Sequence, residues 1–460
     1  MRESNVLSAG IESAALVLLR RAYAAAMHGE FSVPAAALDP PETPCTLYVH
    51  VPFCESLCPF CSFHRVAYRA EKAHLYFTAL REELRQYHAR GFVFAEVYVG
   101  GGTPTVAPTE LEATLRLIRS LWSIRRMSVE TNPNHLTAET MARLQSCGVD
   151  RLSVGVQSFD DALLGEMGRL QPYGAAADIA RRLEGARGRF GALNVDLIFN
   201  FPHQSIGSLE NDVATVRDLD IDQVSYYPLM SAPATRRRMR NELGTVEPSR
   251  RRDFYGAILN GLRSQYQPSS AWCFTRRRSR GPAIALDEYI VGSSEYVGAG
   301  SGAFSYVGGT LYATTFSLNA YRELMCSGRS AITAYRPLTL RQRLHYDLLV
   351  GLFGLSLPWS TLEAKYGPHV RRALAPELAA LRVTGAVHAE GDALQLTERG
   401  MYYWMLMMAE FFTTVNELRA TMRRHIRAEP VASQRGLNGV QTVPWGPDRS
   451  RTGPLSHDPL

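Results

Sequence analysis

The stretch Thr46-Leu-Tyr-Val-His-Val-Pro-Phe-Cys-Glu-Ser-Leu-Cys-Pro-Phe-Cys61 decides how the rest of the chain is read. Residues 46–52 are rich in β-branched and aromatic side chains and predict a strand. Cys54, Cys58 and Cys61 follow at once, with the spacing CxxxCxxC. A strand running into a cysteine loop puts the thiols at its C-terminal end. In parallel α/β folds that end is where sites are built.

Outward from this stretch the pattern repeats. Strand-like runs recur at 96–102, 127–133, 151–158, 194–200 and 223–229. Helix-like segments at 71–90, 109–121, 137–146, 160–187 and 206–219 separate them. Strand–helix alternation of this kind predicts a parallel sheet, and the apolar runs predict strands buried on both faces. The units fall short of a complete barrel. The fold class is therefore α/β, an incomplete (β/α)6 TIM-like barrel with a further C-terminal unit. Residues 270–330 read as loops and short strands. Helices near 339–353, 359–366 and 368–382, a hairpin at 386–397 and a long helix then follow in winged-helix-like order. The expected organisation is a helical extension and linker at 1–44, the barrel with a covering segment at 45–330, the helical domain at 331–425 and a disordered tail at 426–460.

Composition bounds the function. The chain has 460 residues, 46% of them hydrophobic and 20% charged, which excludes a disordered or collagen-like protein. No apolar run reaches the roughly 18 residues of a membrane span. The N-terminus does not read as a secretory signal, so a cytoplasmic location is expected. The net charge is +6, and Lys72 and Lys365 are the only lysines beside 48 arginines. That skew does not call for a nucleic-acid partner. The runs Arg236–Arg238 and Arg276–Arg278 read as solvated faces or as an anion clamp.

Seven cysteines, three of them within 54–61, argue for a metal or redox site over a disulfide framework. Three thiolates on one loop can each bind an iron of a cubane cluster and leave a further iron open. Zinc and a Cys58–Cys61 redox pair are the alternatives. Gly100-Gly101-Gly102-Thr103 follows a strand, where glycines let backbone approach a ligand. Glu130 ends a strand and needs a partner, either a ligand or an arginine. Gln157 ends a further strand and the end of the next lies near Asp196, which brings both to the site end of the sheet.

The segment Tyr48-Val-His-Val-Pro-Phe-Cys54, with Cys58, Phe60 and Cys61, resembles the cluster loop of the radical S-adenosylmethionine (SAM) superfamily. It is most similar to the branch of oxygen-independent coproporphyrinogen oxidases, heme chaperones and related methyltransferases. The resemblance implies a [4Fe-4S] cluster on Cys54, Cys58 and Cys61. The open iron of that cluster chelates SAM, and reductive cleavage yields a 5′-deoxyadenosyl radical. It gives Tyr48, Phe60, Gly100, Gly101, Gly102, Thr103 and Glu130 to the first SAM. It gives Gln157, Arg169 and Asp196 to a second SAM, and Phe304 and Pro228 to the lining of the SAM pocket. It also implies a low-potential electron donor such as flavodoxin or ferredoxin.

The 45-residue lead and Ser62-Phe63-His64-Arg65 after the triad depart from the oxidase and chaperone patterns. This favours the methyltransferases, which act on sp² carbons of ring substrates. His64 and Tyr227 are candidate bases for the late proton removal, His64 also reading as a packing residue. The run Tyr402–Met408 with Phe411-Phe412 reads as a buried helix, or as a cover for a greasy tail at a membrane surface. The latter suits a lipid-like quinone, so menaquinone carbon 8 is the leading expected target. Oxidative decarboxylation of coproporphyrinogen and heme binding are the rivals.

Overall fold

All six expected strands form: β1 (Cys45–Val51), β2 (Phe94–Gly101), β3 (Arg126–Thr131), β4 (Arg151–Gln157), β5 (Ala192–Phe199) and β6 (Gln223–Pro228). They pair in sequence order, all parallel. The computed structural model describes residues 31–32, 38–230, 233–277 and 295–428, together with Val17. Most of the expected N-terminal extension and the tail beyond 428 lie outside the described residues, as does Arg278.

Six shorter strands extend the sheet: β7 (Tyr266–Pro268), β8 (Cys273–Arg276), β9 (Tyr296–Ala299), β10 (Phe304–Val307), β11 (Thr310–Thr314) and β12 (Ile332–Pro337). The order is β12-β11-β10-β9-β1-β2-β3-β4-β5-β6-β8-β7, an open twelve-stranded sheet. Strand β9 is parallel to β1, with Tyr48 opposite Gly298. It gives β1 a neighbour on each side, so the cysteine loop leaves from the middle of the sheet and not from an edge.

The strands are buried on both faces as expected, but only one of the two faces is apolar. Leu47, Val49, Val97, Val99, Met127, Val129, Leu152, Val154, Val195 and Leu197 form one fully buried apolar face. Helices α1 (Ala70–Ala89), α2 (Pro108–Leu121) and α3 (Ala138–Ser146) are among those connecting the strands. The opposite face carries Tyr48, His50, Tyr98, Glu130, Arg151, Ser153, Asn194, Asp196, Gln223 and Ser225. Side chains alternate along a strand, so a one-residue offset separates core from lumen. The sheet has a greasy outside and a polar inside.

On α1 the residues Ala73, Tyr76, Phe77, Leu80, Leu84 and Tyr87 make a buried stripe of helical period. Glu83 lies in the same stripe. It accepts bonds from Tyr321 Oη at 2.5 Å, the Gly300 amide at 2.7 Å and Tyr87 Oη at 3.3 Å. These bonds tie α1 to the loop after β9. Burial pushes the Glu83 carboxyl up to about 7.

The single helix expected over 160–187 is three: α4 (Asp161–Glu166), α5 (Leu170–Tyr173) and α6 (Ala176–Ala186). Gly168 and Gly174 break it with φ of +66° and +100°. Helices α7 (Ile206–Asp218), α8 (Pro233–Leu243), α9 (Arg251–Leu262) and α10 (Leu318–Cys326) complete the barrel region.

The C-terminal unit comprises α11 (Leu340–Phe353), β13 (Ser356–Pro358), α12 (Trp359–Tyr366), α13 (Val370–Ala373), α14 (Ala375–Val383), β14 (Val387–Glu390), β15 (Ala393–Leu396) and α15 (Glu398–Ala428), which adds a short strand, β13, to the expected elements and divides the helix expected over 368–382 in two. Its sheet is antiparallel, in the order β13-β15-β14. Thr339 and Gln342 form a capping box at the start of α11. Trp272 joins this unit to the barrel, its ring 4.8 Å from that of Phe353 and 5.7 Å from that of Phe412.

The aromatic and methionine run of α15 is core. Tyr403, Trp404, Met405, Met407 and Met408 are at most 2% exposed, and Trp404 Nε1 donates to Leu349 O at 2.8 Å. The basis for a membrane-facing or tail-covering surface there falls away. Among the described residues no helix is long and apolar enough to cross a membrane. Trp404→Ala should cost about 3–5 kcal/mol, since it opens a cavity in the core. Denaturant unfolding measures this, and a loss below about 1 kcal/mol would mean the unit is not packed through this residue.

Candidate cofactor site

The loop after β1 is closed on itself. Val66 N donates to Pro52 O at 2.7 Å and Tyr68 N to Cys54 O at 2.9 Å, so the chain returns beside its own exit. The glycine turn after β2 docks on the same segment, with Gly102 N bonded to Val51 O and Thr103 N to Phe53 O, each at 2.7 Å. A Cβ on Gly102 would stand 2.6 Å from Phe53 O and 3.0 Å from Cys54 Sγ. At Gly101, φ is +114° and a Cβ would strike the His50 ring. Only glycine lets this backbone approach the cysteine loop so closely.

Cys54 and Cys58 are buried, Cys61 is half-buried, and all three are free thiols. Thr103 Oγ1 lies 3.7 Å from Cys54 Sγ, and Arg169 Nη1 lies 3.3 Å from Cys58 Sγ. Burial pushes the Cys54 thiol up to about 12 and raises that of Cys61. Such thiols give up their protons to a bound cation. Among the described residues no three Cys, His, Asp or Glu side chains converge on one ion position. A cluster that takes each thiolate on a different iron fits this donor set better than a single zinc.

The lumen beside the loop is a hydrogen-bonded layer. His50 Nε2 is 2.9 Å from the His64 carbonyl, and its Nδ1 is 3.0 Å from Tyr48 Oη. A carbonyl only accepts, so Nε2 carries the proton and Nδ1 accepts from Tyr48. Glu130 accepts from Tyr98 Oη at 2.8 Å and from the Gly101 amide at 3.0 Å. Its bonds are thus to a tyrosine and to the glycine turn, while Arg151 acts on it only through its charge. Burial, then the charge of Asp196, pushes the Glu130 carboxyl up to about 7.

Gln157 and Asp196 lie on β4 and β5 and Arg169 immediately precedes α5, and no hydrogen bond joins the three among the described residues. Gln157 is the last residue of β4 and has φ +78°, an uncommon conformation for a side-chain-bearing residue. Arg169 donates to Asn132 Oδ1 at 2.8 Å and to Gly155 O. Asn132 in turn donates to Thr103 Oγ1 at 2.7 Å, which links Arg169 to the glycine turn. Arg169 Nε is buried without an acceptor among the described residues, as a donor awaiting a ligand would be. Asp196 lies mid-strand and not at the strand end, bonded to Ser153 and Asn194 at 2.8 Å each.

Phe60 packs edge-on against Phe201 at 6.1 Å. Phe304 lies beside Phe316 at 6.0 Å, with the Arg419 guanidinium 5.3 Å above its ring. His64 is 3% exposed, stacked on His50 at 5.7 Å and edge-on to Phe316 at 5.2 Å. Its Nε2 is 3.4 Å from Ser301 Oγ. Tyr227 is on the lumen side of β6, 5.2 Å from the Trp272 ring.

Sequence reasoning missed His50, Tyr98, Asn132 and Arg151. Strand alternation, applied to each run, would have placed His50, Tyr98 and Arg151 on the lumen side. It also missed Asn416 of α15, whose Nδ2 donates to Ser62 Oγ at 2.7 Å. No local signal marks a partner so far along the chain.

Gly102→Ala should cut the iron held after anaerobic reconstitution by more than half, because its Cβ meets backbone that cannot swing away. Full iron content would show that the turn and loop need not be so close. Glu130 supplies a pH signature. Its folded pKa lies above the unfolded value, so its contribution is complete below about 4.5 and fades as pH rises through about 7. The stability difference between wild type and Glu130→Gln, measured by urea unfolding, should shift against the wild type over that window. A pH-independent difference would contradict the raised pKa.

Residues 48–216 match the model of the radical SAM superfamily. The chain is 26% identical over 371 residues to a heme chaperone of Bacillus subtilis, covering 77% of this chain and 95% of that protein. It is 26% identical over 389 residues to an oxygen-independent coproporphyrinogen III oxidase of Bradyrhizobium diazoefficiens, covering 80% and 86%. In fold it is similar to the coproporphyrinogen III oxidase of Escherichia coli, with TM-score 0.70 and 24% identity over 83% of this chain and 95% of that one. The superfamily uses a [4Fe-4S] cluster and SAM, which the thiols, glycine turn and polar lumen suit. Over residues 48–216 the chain matches the radical SAM superfamily, and the proteins it is similar to along most of its length are coproporphyrinogen oxidases and heme chaperones.

Proposed function

We propose that this chain applies its cofactor site to a cyclic tetrapyrrole, as a coproporphyrinogen oxidase-type or heme-handling protein. The observation that carries this is the extent of the similarity. The chain spans 95% of a heme chaperone and 86% of a coproporphyrinogen oxidase. These relatives support a tetrapyrrole over ring methylation. The quinone expectation had leaned on the α15 aromatic run, which is buried core.

In this reading Cys54, Cys58 and Cys61 hold the cluster. Tyr48, Phe60, the Gly100–Thr103 turn and Glu130 hold SAM. Bound together and reduced by a low-potential donor such as a flavodoxin or ferredoxin, these groups supply a carbon radical that removes a hydrogen atom from an unactivated C–H bond. The chain's own share is placement. Glu130, fixed by Tyr98 and the Gly101 amide, offers a carboxylate to a cationic amino group, whose charge favours its ionised form. Arg169 turns a buried donor toward an anionic group. Gln157, Asp196 and Phe304 are assigned to substrate or a second SAM. Of the two candidate bases, His64 packs on His50 with its Nε2 3.4 Å from Ser301 Oγ, and Tyr227 lies on the lumen side of β6.

Anaerobic expression in a bacterial host that makes both porphyrins and menaquinone tests the reading. Extracts are compared by mass spectrometry with those of the Cys54/Cys58/Cys61 triple-alanine variant. Altered porphyrin or heme species with unchanged quinones are expected. Menaquinone heavier by one methylene unit, with unchanged porphyrins, would contradict it.

A further inference from the structure

We infer that Arg65 is a positioning residue for the cluster loop: it clamps the last turn of the triad through two backbone carbonyls and holds a fixed positive charge beside the thiolates. The inference rests on the assignment of the cluster to Cys54, Cys58 and Cys61, and not on the identity of the substrate.

The last turn of the triad is closed by one backbone bond, Cys61 N to Cys58 O at 3.3 Å. That bond is long and weak by itself. Arg65 Nη2 reinforces it, donating to Cys61 O at 2.8 Å and also to Cys58 O. One nitrogen thus bridges the carbonyls of two ligand residues. The arginine has a rigid base, because the next residue, Val66, donates to Pro52 O at 2.7 Å in the short parallel pairing of 53–54 with 66–67. The clamp and the clamped turn are therefore held by the same piece of chain.

The charge matters as well as the geometry. Three thiolates on one loop carry negative charge that a buried site tolerates poorly. Arg169 faces Cys58 Sγ from one direction. Arg65 supplies a second cation, through the main chain, without contacting a sulfur. Cluster potentials follow net charge and hydrogen bonding around the ligands. A cation here favours the reduced, more negative state. A lysine would keep the charge, but on a shorter, flexible stem whose ammonium is not held in a plane against both carbonyls. The two jobs can thus be separated by substitution.

Holoprotein reconstituted anaerobically is titrated by spectroscopically monitored reduction in wild type, Arg65→Gln, Arg65→Lys and Asn416→Ala. Arg65→Gln should shift the one-electron reduction equilibrium at least tenfold toward the oxidised state, about 59 mV. Arg65→Lys should retain most of the wild-type potential. Asn416→Ala, which releases the loop from α15 at Ser62 and frees Arg419 Nη1 from Asn416 Oδ1 but removes no charge, should shift the potential far less than Arg65→Gln. In cluster-free protein, amide exchange at Cys61 should quicken in both Arg65 variants. An unchanged potential in Arg65→Gln, or an equal fall in Asn416→Ala, overturns the charge role. Unchanged exchange at Cys61 overturns the clamp. Wild-type protein that takes up no iron would sink the cluster assignment itself, and exchange in the cluster-free protein would still decide the clamp.

Discussion

Two backbone hydrogen bonds carry the architecture of the site: Gly102 N to Val51 O and Thr103 N to Phe53 O, both 2.7 Å. They continue the parallel pairing of β1 and β2 past the ends of the strands. Through them the glycine turn is pinned against the first cysteine, and Gly101 is carried to the Glu130 carboxylate. Each contact needs backbone where a side chain would otherwise stand. The site is thus a consequence of strand register, and a slip between β1 and β2 would dismantle it.

The second organising fact is the division of the sheet. The outer residues of β1–β5 are packed to near-zero exposure by the helices, and this apolar burial dominates the favourable side of folding. The inner residues could not be left unpaired in a buried space. They satisfy one another: Arg151 with Gln223 and Ser128, Asp196 with Ser153 and Asn194, Glu130 with Tyr98. Two carboxyls and a guanidinium held so close polarise one another. The result is a lumen that is rigid before any ligand arrives, which suits a site that must hold a cofactor and a substrate in fixed relation.

Much of this was legible in the sequence. The six parallel strands, the cysteine loop and the order of the C-terminal helices followed from local runs and spacing. Three things were not. The lumen face was obscured because runs such as Val195-Asp196-Leu197 look apolar overall, and only the strict two-residue period shows that Asp196 points inward. The break of 160–187 into three helices depended on Gly168 and Gly174, which a periodicity reading absorbs too easily. The aromatic run of α15 suggested an interface because composition cannot say what a helix packs against. Trp404 and its neighbours meet α11, and Asn416 meets Ser62 from more than 350 positions away. Contacts of that kind are set by the tertiary fold alone.

The account turns on the three thiolates of the loop binding a cluster together. Iron and acid-labile sulfide, measured in anaerobically reconstituted wild type and in the Cys54/Cys58/Cys61 triple-alanine variant, test that most directly. The account predicts about four of each per chain in the wild type and none in the variant. A cluster of the same content and spectrum in the triple-alanine protein, or a wild type that holds none, would contradict it.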